Sequence, residues 1–325
     1  MARGRIEQEL ERLAGIRRDP RAAGAIDALR KALGGASFVA AKAARIAADA
    51  ELNELGRDLV DAFHRLADAQ GKRPADPGCE GKKAIAEALR TLEHCAGGVF
   101  ERGVRLVQME PVCGGQTDTA AELRAICALG LVDAREPAAL FTAVDLLADP
   151  EPAARIGGVK ALGSSGRADA ALALRVKALG GDSEPQVTTE CLFELMQIDR
   201  RASFDFVARF LKDRDETNAE AAALALASTR EDAALEAIVA RWHGSTGPPR
   251  RSLLAAVASM RTEPSIAFLV SLVREGRVTD AEAALEALAQ FRTEVKVRSA
   301  VAAAVAARGD DRVAAAAREA RFGGA

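Results

Sequence analysis

The chain has 325 residues, of which 49% are hydrophobic, only 4% aromatic and none tyrosine. An alanine-rich, aromatic-poor interior suits closely packed helices and argues against a large sheet. Residues 1–75 carry 14 Lys/Arg against 11 Asp/Glu, residues 76–240 carry 18 against 27, and residues 241–325 carry 13 against 9. The acidic middle excludes a non-specific DNA clamp, which needs a basic stripe to replace the counterions on phosphate.

In chain order, residues 3–17 read as a charged amphipathic helix with no apolar core of signal-peptide length. Phe38–Ala50 follows as a second helix, and Leu52–Gln70 as an unusually long one. DPGCEGKKAIAEALRTL (Asp76–Leu92) is a clear helix, but it lies 42 residues before Asp118. From there a pattern recurs every 31 to 34 residues, opening at Thr117/Asp118, Asp149, Asp182, Asp213, Gly247, Thr279 and Asp310. Each opening reads as a turn or cap leading into an Ala/Leu/Val stripe. A fixed period of this size marks a repeat array. A second helix precedes each next opening: Arg167–Gly181 with apolar Ala170, Leu172, Leu174, Val176 and Leu179, then Arg201–Lys212, and so on. Each unit is therefore two antiparallel helices, A then B, joined by tight Gly, Asp or Pro turns. One pair cannot bury its own apolar face and must stack on its neighbours.

The opening at Asp149, Pro150, Arg155, Val159, Ala161, Leu162 and Gly163 resembles HEAT repeats, in particular the short bacterial type named from phycobilisome lyase subunits. The resemblance covers roughly residues 37–321. It implies an all-α, right-handed α-solenoid of about nine helix pairs, with capping helices at both ends and no β-sheet. The regularity divides the chain into an N-terminal helical cap with irregular repeats, 1–75, and a regular array, 76–325, continuous as one solenoid. Ankyrin's Thr-Pro-Leu-His is absent, and the tetratricopeptide aromatic positions have no counterpart.

The search for chemistry yields little. His64, His94 and His243 are followed by Arg65, Cys95 and Gly244, so the His-Glu pairs of a dinuclear-iron HEAT hydroxylase are missing. Cys79, His94 and Cys95 lack zinc-ligand spacing. The five cysteines read as reduced thiols, with Cys127 and Cys191 in the core. Cys79, at a helix start beside Lys82 and Lys83, has surroundings that favour a thiolate, but a free cysteine generally behaves as a small hydrophobe, and a structural bystander is the favoured reading. Most Gly-Gly pairs fall at helix ends or turns, whereas Gly157-Gly158 lies inside a B helix, where it would admit a close neighbour.

Two surfaces are candidates for partner binding. In the HEAT architecture the B helices line the concave face, and Arg155, Lys160, Glu190, Glu194 and Glu220 sit at their non-apolar positions. Trp242 stands near Arg250 and Arg251, where it would stack on a base or a partner, or pack as the end of an A helix. The expected function is a non-enzymatic, cytoplasmic protein-binding scaffold or adaptor without cofactor or metal. The alternative is a nucleic-acid-binding or DNA-glycosylase-like HEAT protein using Trp242, Arg250 and Arg251. Family analogy alone adds a chromophore lyase or its regulator.

Overall fold

The computed structural model describes residues 2–69, 75–94 and 98–322, with side chains from residue 7 onward. The described residues form nineteen α-helices and one short hairpin. They divide into two compact units, Met1–Lys177 and Ala178–Ala325. The division expected near residue 75 falls beside residues 70–74, which lie outside the described residues, as do Gln70, Cys95 and Gly97.

In the first unit α1 (Ala2–Ile16) packs on the B helix α3 (Ser37–Asp49), and α2 (Ala25–Leu33) is its A helix. The pairs continue as α4 (Gly56–Asp68) with α5 (Glu80–Thr91), α6 (Val99–Gly103) with α7 (Ala121–Asp133), and α8 (Ala139–Leu146) with α9 (Pro152–Ser164). The B helices α3, α5, α7 and α9 pack one on the next. Helix α10 (Ala168–Gly180) runs across the boundary between the units.

The second unit repeats the plan. Its B helices are α11 (Pro185–Ile198), α13 (Glu216–Ala227), α15 (Pro249–Ser259), α17 (Val278–Leu288) and α19 (Asp311–Glu319), again in a continuous row. Its A helices are α12 (Arg200–Phe210), α14 (Asp232–His243), α16 (Glu263–Glu275) and α18 (Val295–Arg308). Each unit is thus an α-solenoid segment of HEAT-like pairs. No helix among the described residues is long and apolar enough to cross a membrane.

The two rows differ for a physical reason. A helices bury one stripe, such as Ala234, Ile238 and Trp242 of α14, spaced i, i+4, i+8. B helices have neighbours on several sides, and α13 buries Ala219, Ala221, Ala222, Ala223, Ala225, Leu226 and Ala227 around much of its circumference. Alanine lets those helices approach. Gly157 and Gly158 take this further: a Cβ at Gly157 would meet Ala125 of α7, and one at Gly158 would lie 2.7 Å from the Ala143 carbonyl and 2.9 Å from Leu146 Cβ of α8.

The recurring aspartate is a turn device more often than a helix cap. Oδ1 of Asp118, Asp149, Asp182 and Asp213 accepts the N–H two residues on, from Ala120, Glu151, Glu184 and Asp215. The helix begins three residues after each aspartate, at Ala121, Pro152, Pro185 and Glu216. This Asx turn fixes the angle of entry, and proline at the first helical position forfeits no hydrogen bond. Asp215, Asp199 and Asp310 do cap helices through their carboxylates.

Two expectations are corrected. Leu52–Gln70 is not one long helix, because a single 3-10 turn, Asn53–Leu55, precedes α4. The chain also contains a sheet: β1 (Met109–Val112) pairs antiparallel with β2 (Gly115–Asp118) in the register Met109↔Asp118 to Val112↔Gly115. The turn is Cys113-Gly114, with Gly114 at φ +90°. Asp118 therefore closes a strand, and α7 opens at Ala121. The ten hairpin residues account for the stretched interval between Asp76 and Asp118.

Candidate functional site

The hairpin is held down by a buried polar clasp. Asp76, fully buried before α5, accepts N–H bonds from Gly81 (2.8 Å) and Lys82 (2.9 Å) and an ion pair from Lys82 Nζ (3.0 Å). Lys82 Nζ also donates to Gln108 Oε1 at 2.9 Å. Glu110 Oε1, on β1, accepts from Gly78 N (2.7 Å), Thr119 Oγ1 (2.7 Å) and Gln108 Nε2 (2.6 Å). Burial pushes the Glu110 carboxyl up, but these donors more than offset it and hold it below the usual range.

On the far side Arg124 of α7 joins two successive Asx turns. Its Nη1 reaches Asp118 Oδ2 at 2.6 Å and the Leu106 carbonyl at 2.8 Å, while Nε and Nη2 form a fork on Asp149, both at 2.8 Å. All three side chains are at most 10% exposed. Burial alone would lift the Asp118 carboxyl, but the N–H groups of Gln108 and Ala120 and the guanidinium hold it low.

Cys79 lies within this clasp as a buried structural thiol, the favoured of the two readings. It is fully buried in a left-handed conformation (φ 54°), and burial pushes its thiol up despite Lys82 and the Thr119 hydroxyl. The charge of Lys82 is spent on Asp76 instead. Cys127 and Cys191 are buried as expected, whereas Cys113, at the hairpin tip, is exposed.

The residues singled out as a partner surface are mostly engaged within the protein. Arg155 is buried, and its Nη1 donates to the carbonyls of Asp149 and Pro150, both at 2.9 Å. Lys160, Glu190 and Glu194 are half-buried and have interactions of their own, while Glu220 is exposed. Trp242 is 3% exposed and packs edge-on against Phe268 and His243. Arg250 lies over its ring, 3.7 Å from the centroid. The same guanidinium forks onto Asp280 (3.0 and 2.9 Å) and donates to the carbonyls of Trp242 and Ser245. Arg251 pairs with Glu286. The structure does bring Trp242 and Arg250 together, but as a packed stack whose donors point inward. Neither ring face nor guanidinium is presented to a base.

The surface that sequence reasoning missed lies on α8 and α10. Helix α10 is apolar along two lines. Ala170 and Leu174 are buried, whereas Leu172, Val176 and Leu179, one to two turns apart, are 65%, 71% and 71% exposed. On α8, Phe141 is 77% and Val144 41% exposed. Between α8 and α10 runs an open notch of about 560 Å³ whose walls include Val132, Leu140, Phe141, Val144, Ala170 and Ala173. Ala173 precedes Val176 by one turn, so notch and stripe adjoin. The signal was available: a helix apolar on opposite sides is normally covered on both.

This geometry defines the class, an all-α repeat protein of HEAT-like helix pairs with one inserted hairpin. No family model and no curated protein matches the sequence. Similar solved structures include the CpcE–CpcF complex of phycocyanin lyase from Nostoc sp. PCC7120, at 16% identity and TM-score 0.40, covering 77% of this chain and 93% of that one. Human deoxyhypusine hydroxylase with glycerol is similar at 16% identity and TM-score 0.34, covering 82% and 96%. An engineered protein is similar at 20% identity and TM-score 0.40, covering 96% and 91%.

Proposed function

We propose that the chain is a non-enzymatic protein-binding scaffold and that it binds through the outer face of α8 and α10. The observation that carries this reading is the set of exposed Phe141, Val144, Leu172 and Val176 beside the α8–α10 notch. The largest apolar patch on a soluble protein is often the one that another surface covers. Aromatic anchors set in such patches supply most of the binding energy at protein interfaces. The nucleic-acid reading has less support, because the guanidinium groups of Arg250 and Arg251 are already paired with carboxylates.

The test compares the immobilised chain with its Phe141→Asp/Val176→Asp variant in a native lysate. The wild type is expected to retain protein that the variant loses, with unchanged helical signal. Equal retention by both, or retention of nucleic acid alone, would sink the proposal.

A further inference from the structure

We infer that the occupant of the α8–α10 face is a second copy of this chain, related by a two-fold axis. The inference rests on the reading that this face binds protein. An interface of this symmetry uses one patch twice, so the patch must carry both a projection and a recess. This one does. Phe141, Leu172 and Val176 project, and the notch beside them is lined by the small side chains of Ala170 and Ala173.

Charge supports the same occupant. Of the charges on the notch's edge, Arg167 and Asp169 neutralise each other in a bidentate pair (2.9 and 2.6 Å), and Arg135 and Glu136 leave the rim with no net charge. A rim of one sign would repel its own copy. A rim with no net charge sets up no such repulsion between two copies.

Area is also sufficient. The exposed parts of Phe141, Val144, Leu172 and Val176 amount to roughly 450 Å², within the range of the largest patch on a typical monomer. Two copies face to face would cover about 900 Å² from these side chains alone, and the rim carries the total past the ~1,000 Å² that a specific interface needs.

Sedimentation velocity of the full chain from 1 to 100 µM tests the inference. The expected wild-type mass is twice the 34.1 kDa of one chain, and the Phe141→Asp/Val176→Asp variant should sediment as a single chain. Asp169→Arg, which makes the rim net positive, should weaken association at least tenfold. A second readout does not depend on a charged substitution being tolerated. In a Cys95→Ser/Cys113→Ser background, Leu172→Cys should form an intermolecular disulfide under mild oxidation, while Glu220→Cys should not. A wild type that stays at 34.1 kDa throughout overturns the inference. So does a dimer that persists in the Phe141→Asp/Val176→Asp variant, because it must use another surface. If the wild type is monomeric but its lysate partner is still lost in that variant, the second copy is excluded and the scaffold reading stands.

Discussion

Replacing Arg124 by methionine should be among the most damaging single changes in the first unit. The guanidinium satisfies two carboxylates at once, Asp118 and Asp149, whose side chains are 5% and 10% exposed. Without it, Asp118 keeps only the N–H groups of Gln108 and Ala120, and Asp149 that of Glu151. Removing one partner of a buried ion pair costs about 3–5 kcal/mol, because a charge is left uncompensated. That is a large share of the 5–15 kcal/mol typical of a domain. The pair's own worth is smaller, so Arg124→Met/Asp118→Asn/Asp149→Asn should recover most of the loss, since asparagine also forms the Asx turn. Urea unfolding followed by far-UV circular dichroism measures both. The dependence on pH has a definite sign. Asp118 is held low in the folded state, so its contribution is present above the unfolded value of about 3.9 and fades as pH falls through the folded value. The gap between wild type and Arg124→Met should therefore narrow in acid. The reasoning is refuted if Arg124→Met stays within about 0.5 kcal/mol of wild type, the range of ordinary surface changes.

Other outcomes follow from the packing. Gly157→Ala should lower the melting temperature despite alanine's better helix propensity, because the new Cβ meets Ala125; overpacking of this kind costs about 1–3 kcal/mol, and a rise in melting temperature would disprove the close approach. In a Cys95→Ser background a thiol reagent should label Cys113 quickly and reach Cys79, Cys127 and Cys191 only on unfolding; rapid modification of Cys79 would restore the reactive-thiol reading. Trp242 is the single tryptophan, so native emission should be blue-shifted and move to the red in Arg250→Ala. The same variant leaves Asp280 12% exposed without its partner and should lose about 2 kcal/mol in urea unfolding, where an unchanged midpoint would argue against the stack.

The helix pairs are legible in the sequence because their cause is local and repeated. Asp149, Pro152 and the Val159–Leu162 run state a turn, a helix start and a buried face within fourteen residues. The hairpin is not legible in this way. VQMEPVCGGQTD contains Pro111 and Glu110 where a half-buried strand would show regular alternation, and it is held by groups 26 to 32 residues earlier, Lys82 Nζ on Gln108 and the Gly78 N–H on Glu110. At Cys79 the sequence shows the charges but not their partners. Its lysine neighbours are adjacent in sequence, but Asp76 takes the charge in space and burial dominates the thiol. Trp242 and Arg250 are rightly read as neighbours; what sequence spacing cannot supply is Asp280, thirty residues on, which turns the guanidinium inward.

Specificity in such an array should sit where the repeat is broken, and the two breaks differ in kind. Charged residues at B-helix positions look like binding groups on paper, yet Arg155 spends its donors on the carbonyls that open its own repeat, and Arg250 and Arg251 bind carboxylates of α17. They hold one unit to itself or to the next, and any repeat protein needs such residues. The hairpin is a break in length, but its polar side chains close on the scaffold. The α8–α10 face is a break in pattern: it leaves phenylalanine, leucine and valine in water at positions that A helices need not fill with apolar residues. An exposed Phe141 has no role in holding α8 to α9, because Ala143 and Leu146 lie on the buried side. Its cost in water is offset only when something covers it, and that is the physical reason to look for a partner there before the charged B helices.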